Sequence, residues 1–432
     1  MLARSVTYNV AGRVGGLVLG FGSSVLLARW LGPADRGLLG ELGTASGLGM
    51  VLFGLGIPTA VTYLASVLPQ ATAAIFGTTL TVAVVLTAVL VPATWATRHL
   101  FADAFSGGHG AVYWPAAAAI VSITFLDWTT HNQLLARLRF GLFNALTLAA
   151  RVASLAATIA LVGVAGFGVA GGLAANALLS AVMIVGAAPL LLRAGRPRFD
   201  PQVLRRLVGY GVRVQAGSLL QTLNYRLDLL LLGVFRPLDE VGAYFVASFM
   251  AELVLTVSAS FETSIVPLVS QAETAAGRDS TTVSAIRHHL ILSTAATLAN
   301  LVFGPLVILF ALGHGYGPAL APFFILSAGM VFAGTGTVVG SDLRGRNRPG
   351  TASVFAGIAL VVTVVGDFAL IPPLGAIGAA IVSLLAYALY GIASVAGLSG
   401  ITGLSWRELT VPTGADFGAY LGLVRRLRRA PA

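Results

Sequence analysis

Four arginines, Arg13, Arg151, Arg213 and Arg226, sit inside long apolar runs of the chain. A guanidinium cannot escape an apolar environment by losing its proton, and its planar fork of donors fits two oxygens of a phosphate or carboxylate. The chemistry such residues offer is recognition of an anion rather than bond breaking. Their neighbours extend that chemistry. Asn144, Thr147, Arg151, Ser154 and Thr158 recur at intervals of three and four, which on a helix places all five on one face. Asn9, Arg13, Gly16, Gly20 and Ser23 repeat the pattern in the first run. In the seventh run Arg213, Gln221, Asn224 and Asp228 fall within an arc of roughly 80°, with Gln215 and Arg226 on the opposite side.

Acidic residues in the same kind of run, Asp228, Glu252, Glu262 and Asp367, are candidates either to neutralise these arginines or to bind a coupling ion, a proton or sodium. Hydroxyls and amides in such runs also bond across packed helices without any functional role. Arg13, close to the end of its run, can snorkel to an interface, whereas Arg151 is near the middle of its own. Asp127, beside Trp128, reads as interfacial. His131, His288 and His289 fall in or beside inner loops with no ligand partners at metal spacing, so no metal is assigned. The absence of cysteine excludes disulfides and thiolate sites, and no GxxxxGK[ST] loop is present for a built-in ATPase. No catalytic residue and no cofactor are assigned.

The elements that must position these groups are helices crossing a bilayer. With 57% hydrophobic and 10% charged residues and a mean hydropathy of +0.90, the chain lacks the polar surface a water-soluble globule would need. Apolar runs of about 20 residues, enough to cross a hydrocarbon core of about 30 Å, recur along its whole length. Twelve are expected: residues 5–27, 40–68, 72–95, 112–128, 141–164, 168–192, 207–234, 241–269, 290–312, 319–339, 351–371 and 376–398. All 26 basic residues are arginine. Eighteen of them fall in loops and termini on one side, against Arg29, Arg36, Arg98 and Arg236 on the other. That asymmetry puts both termini in the cytoplasm and explains the net charge of +10 without nucleic acid. The five tryptophans lie near run ends, as interfacial anchors do. The outer loops are too short to hold a catalytic domain.

The chain is also doubled. ARWLGPADRGLLG at Ala28 returns as GVFRPLDEVGAY at Gly233, with Gly37 matching Gly242, 205 residues on. GFGVAGGLAAN at Gly166 returns as PLGAIGAAIVS at Pro373, with Gly168 on Gly375 and Gly171 on Gly378, 207 apart. The expected fold is an all-α polytopic membrane protein of about 12 transmembrane helices in two pseudo-symmetric six-helix bundles around a central cavity. Residues 1–192 would form the first bundle, 193–206 a basic cytoplasmic linker, 207–398 the second bundle and 399–432 a basic cytoplasmic tail. Phe417, Tyr420, Leu421 and Val424 beside four arginines suit that tail either to lie on the lipids of the inner leaflet as a basic amphipathic helix or to stand as a solvated, topogenic tail.

ARWLGPADRG, RLDLLLLGVFRPLDEVGAYFVASFM and IPPLGAIGAAIVSLLAYAL together resemble the lipid-linked oligosaccharide flippases, the Wzx-like polysaccharide exporters of the MOP superfamily, over nearly the whole chain. The resemblance implies a flippase, not an enzyme. Such a protein moves a polyprenyl-pyrophosphate-linked oligosaccharide across the bacterial cytoplasmic (inner) membrane by alternating access, for cell-surface polysaccharide synthesis. It supplies no fixed motif. Residues carry over only as groups facing a cationic cavity on the first, fifth and seventh spans: Asn9, Arg13, Asn144, Arg151, Arg213, Gln221, Asn224 and Arg226. An ion-coupled drug or metabolite exporter of the same superfamily is the nearest alternative. An integral-membrane glycosyltransferase or glycan polymerase is a more distant one.

Overall fold

The computed structural model describes residues 2–418 apart from 138 and 314, and the side chains from Gly15 onward except those at 138, 140, 216, 263, 267, 314 and 349. Asn9, Arg13 and the end of the basic tail from residue 419, Tyr420, Leu421 and Val424 included, therefore lie outside the described side chains. The first stretch of helices comprises α1 (Leu2–Gly54), α2 (Ile57–Val67), α3 (Thr72–Ala96), α4 (Arg98–Phe105), α5 (Trp114–Ala136), α6 (Phe140–Ala157) and α7 (Gly168–Leu192). The rest are α8 (Pro201–Phe235), α9 (Leu238–Glu252), α10 (Leu255–Gln271), α11 (Ala275–Leu306), α12 (Leu320–Gly345), α13 (Pro349–Leu374), α14 (Ala376–Thr402) and α15 (Trp406–Thr410).

Nine helices among the described residues are long and apolar enough to cross a membrane, and the bent pair α9 and α10, which turns by 47°, makes a tenth. A kink divides α1 between the first two expected spans, and α8, whose hydropathy is diluted by its arginines and Asp228, supplies the seventh. Each expected span thus falls on helix, the second, 40–68, interrupted at Leu55 and Gly56, where positive φ separates α1 from α2. The kink has a local cause. Pro33 removes a backbone donor and crowds the preceding turn, while Gly32 adopts φ 73° and ψ 175°, which residues with a Cβ rarely reach. Proline is tolerated in the first turn of a helix, so the second arm of α1 resumes at once. Arg36, expected in an outer loop, is consequently inside a helix and only 5% exposed.

The matched glycines behave alike. Gly168 and Gly375 both take positive φ, 53° and 57°, at the starts of α7 and α14. The other pair meets directly. A Cβ at Gly37 would lie 2.1 Å from the Leu238 carbonyl oxygen, and one at Gly242 would lie 1.9 Å from that of Pro33. The contact is reciprocal, as in an isologous interface, since Leu238 and Gly242 stand where Pro33 and Gly37 stand in the first copy.

By packing, the chain forms two compact units that do not coincide with the repeat: Met1–Phe245 with Ile308–Pro318, and Val246–Val307 with Ala319–Ala432. The expected boundary at 193–206 is not where packing divides the chain, because α8 rests on α1, α2 and α3. The six-helix halves, 1–192 and 207–398, remain a proposal about ancestry, supported by the paired glycines. In the first unit Leu27, Leu38, Leu39, Leu42, Trp114 and Leu173 pack beneath α4. In the second, α12 is the axis. Its small residues let neighbours approach closely, with Tyr390 against Gly336 and the Phe332 carbonyl against Gly391.

Candidate functional site

The polar face of α6 meets that of α1. Ser23 and Thr158 hydroxyls lie 3.2 Å apart, Thr158 also donates to the Ser154 carbonyl at 2.9 Å, and both Ser154 and Thr158 are buried. This end of the stripe is helix packing. Arg151 differs from it: the residue is exposed, and a Cβ at Gly20 would lie 2.8 Å from its Nη1. The guanidinium therefore lies over the glycine face of α1. Thr147 turns back to the Phe143 carbonyl at 2.9 Å, and Asn144 is half-buried.

On α8 the expected arc divides. Arg213 is exposed and Gln221 half-buried, while Asn224 and Asp228 are buried at 7% and 3% exposure. Asp228 accepts from the Leu229 backbone at 2.7 Å and from the Tyr244 hydroxyl of α9. Gln215 donates to the Val51 carbonyl at 2.7 Å, tying α8 to α1, and Arg226 is half-buried. The other three acids belong to the second unit. Glu262 faces Arg344 and Thr337, Glu252 is half-buried at the break before α10, and Asp367 is fully buried in α13.

Several residues stand elsewhere than expected. Asp127 is not interfacial, because α5 continues to Ala136; it is buried and accepts from Ser180 of α7 at 3.0 Å. His289 is not near a loop, because α11 begins at Ala275. It is fully buried, its Nε2 2.9 Å from Ser258 Oγ. Two charged residues that sequence reasoning left out of any site are also buried. Arg36 donates to Ser24 at 3.0 Å and stacks on Phe245, with Cζ 4.3 Å from the ring centroid. Glu41 is fully buried. A single acid in the run GLLGELG, with no base one turn away, was the available signal.

In the second unit, charged groups tie α11 to α12 and to the segment that follows α14. Arg346 bonds Asp342 and Asp279 at 2.8 Å each, and Arg287 donates to the Glu408 carbonyl at 2.9 Å and reaches Asp416 at 3.5 Å. Hydrogen bonds from Ser405 hold the Glu408 carboxyl below the usual range, and those from Thr413, backbone first, do the same for Asp416. Groups depressed in this way support the fold above their unfolded pKa and stop doing so as pH falls through the folded value. Protease protection of residues 403–418 is accordingly expected to hold through neutral pH and to fade below about pH 4.

A family model described as polysaccharide biosynthesis protein matches residues 26–321. A curated relative, the probable low-salt glycan biosynthesis flippase Agl15 of Haloferax volcanii, is 24% identical over 160 residues, 36% of this chain and 34% of that protein. The match thus spans about a third of the relative's length. Among solved structures, a multidrug resistance MATE family transporter of the MOP superfamily in an inward-facing conformation aligns with a TM-score of 0.76 at 12% identity, over 88% of this chain and 94% of that one. Lipid II flippase MurJ, inward closed, aligns with a TM-score of 0.75 at 13% identity, over 91% and 87%. At these identities the solved structures establish a shared fold.

Proposed function

Because this chain belongs to the polysaccharide biosynthesis protein family, we propose that it is a flippase, not an enzyme, carrying a polyprenyl-pyrophosphate-linked oligosaccharide across the bacterial cytoplasmic membrane by alternating access. The observation that supports this most is Arg151. An exposed guanidinium in the middle of a membrane helix is costly against lipid and useful against water and phosphate. With Asn144, and with Arg213 and Gln221 on α8, it offers charge-assisted bonds to a pyrophosphate that could not cross hydrocarbon alone. Asn9, Arg13, Asn224 and Arg226 belong to the same proposal. Asp228, Glu252, Glu262 and Asp367 are proposed to balance these charges or to bind a coupling proton or sodium ion.

The test is reconstitution in liposomes with a fluorescent polyprenyl-pyrophosphate sugar. Label reaching the opposite face only with the protein present supports the reading. Transport of soluble cationic drugs with no movement of the lipid-linked label would favour the exporter alternative.

For orientation we propose that both termini are cytoplasmic. Gly110 packs on Leu38 and Gly315 on Pro33, next to the kink in α1, while the Arg198 backbone bonds Ala73 at the other end of that unit. Reporter fusions at Gly108 and Gly315 are expected to read external, and those at Arg196 and Arg346 internal. A reversed pattern at two of these positions would overturn the assignment.

A further inference from the structure

We propose that Glu41 is a proton-binding site, which holds its proton against the Phe105 carbonyl oxygen and releases it when α1 and α8 part at Gly233. The carboxyl is fully buried in the second arm of α1, and neither of its oxygens has a hydrogen-bond partner among the described residues. The packing shows what is missing. A Cβ on Gly233 would lie 1.3 Å from Glu41 Oε1 and 2.7 Å from the Phe105 carbonyl oxygen, so both oxygens crowd one point above the bare backbone of α8.

Two acceptors facing each other in a dry site repel unless one carries a hydrogen. A carboxylic acid resolves this by donating its O–H to Phe105, whereas a carboxylate would lose its hydration with nothing to replace it. A hard cation would need several further oxygens around it, and a carboxyl with no hydrogen-bond partners gives no sign of such a shell. Among the described residues no neighbouring charge compensates either. On α1 Arg36 is engaged by Ser24 and Phe245, on α4 Arg98 lies over Trp95 and Asp103 beside Gly108, on α5 Asp127 bonds Ser180, and on α8 Asp228 bonds Tyr244. Arg236, just beyond α8, pairs with Glu240.

Release is a simple proton transfer: water enters as α1 and α8 separate, the O–H bond breaks, the water takes the proton and the carboxylate becomes hydrated. Gly233 sets the coupling, since any side chain there would hold the helices apart and admit water permanently. The proton site stands on this packing alone. Its link to transport rests on the flippase reading.

Two measurements separate those claims. In the infrared spectrum of the protein in lipid vesicles at neutral pH, the wild type should show a protonated-carboxyl C=O band, shifted in heavy water, that E41Q lacks and E262Q retains. The glutamine keeps a donor toward Phe105. If E41Q does not fold, 13C-glutamate labelling of E262Q reads the same band with position 41 untouched. The band persisting in E41Q, or its absence from the labelled protein, overturns the site whatever transport does. In the liposome assay a gradient of about one pH unit should change the wild-type rate by up to about tenfold and leave E41Q unchanged. An equal response in both overturns the coupling. No transport by the wild type under any gradient counts against the proposed function, and the infrared result then decides the site.

Discussion

Arg151→Ala is expected to abolish flipping while the protein remains inserted and abundant. Losing one partner of a desolvated, charge-assisted pair costs about 2–5 kcal/mol, or roughly 30-fold and upward in rate. The side chain is exposed and lies over Gly20 instead of packing between helices, so its removal leaves no cavity to destabilise the fold. Arg151→Lys should recover only part of the activity, because an ammonium keeps the charge but loses the two-pronged geometry. Ser154→Ala and Thr158→Ala provide the contrast. They remove helix-packing hydroxyls, and each should lower stability by about 1 kcal/mol with transport nearly intact. Complementation of a glycan-export defect, read beside membrane abundance, checks all four. Full activity of Arg151→Ala, or a loss matched by lost protein, would return Arg151 to a structural role.

Alanine at either Gly37 or Gly242 should be nearly as damaging as alanine at the other. Each added Cβ falls about 2 Å from a carbonyl oxygen of the facing segment, at Leu238 or Pro33, and backbone cannot swing aside as a long side chain can. Overpacking of this kind costs on the order of 1–3 kcal/mol. Because both methyls push the same two segments apart, the double variant should lose less than the sum of the singles. Thermal unfolding in detergent reads the effect, with Gly43→Ala as a control, since a Cβ there meets nothing within 4 Å. Tolerance at one position alone would show that the two copies do not meet reciprocally.

Much of the fold was legible because a bilayer imposes a length and a composition on every crossing. The run 168–192 coincides with α7 to the residue, and the doubled glycines were visible as fixed offsets. What was not legible follows from cues with two meanings. Pro33 and two nearby charges read as a loop, yet proline is also at home in the first turn of a helix, so Arg36 was placed in solvent when it is buried. Trp128 marks an interface when a span ends there, and α5 does not end there, which misplaced Asp127. α11 runs well past the length a membrane requires, so His289 lies inside a helix begun fourteen residues earlier, at Ala275. For the site, periodicity found the polar face of α6 but could not tell its packed end from its exposed one. That distinction depends on where α1 lies. Glu41 was overlooked because its meaning comes from Gly233, far away in sequence.

The meeting of Gly37 with Gly242 bears on how the two copies can diverge. Elsewhere a duplicated segment is free to drift, since a change in one copy leaves the other's surroundings intact. At this crossing each copy is the other's surroundings. A substitution in the first must be accommodated by the second, and the backbone oxygens of Pro33 and Leu238 cannot be mutated away. The two codons therefore form one unit of selection, and the motif on which the proposed duplication rests is the part of it least able to decay.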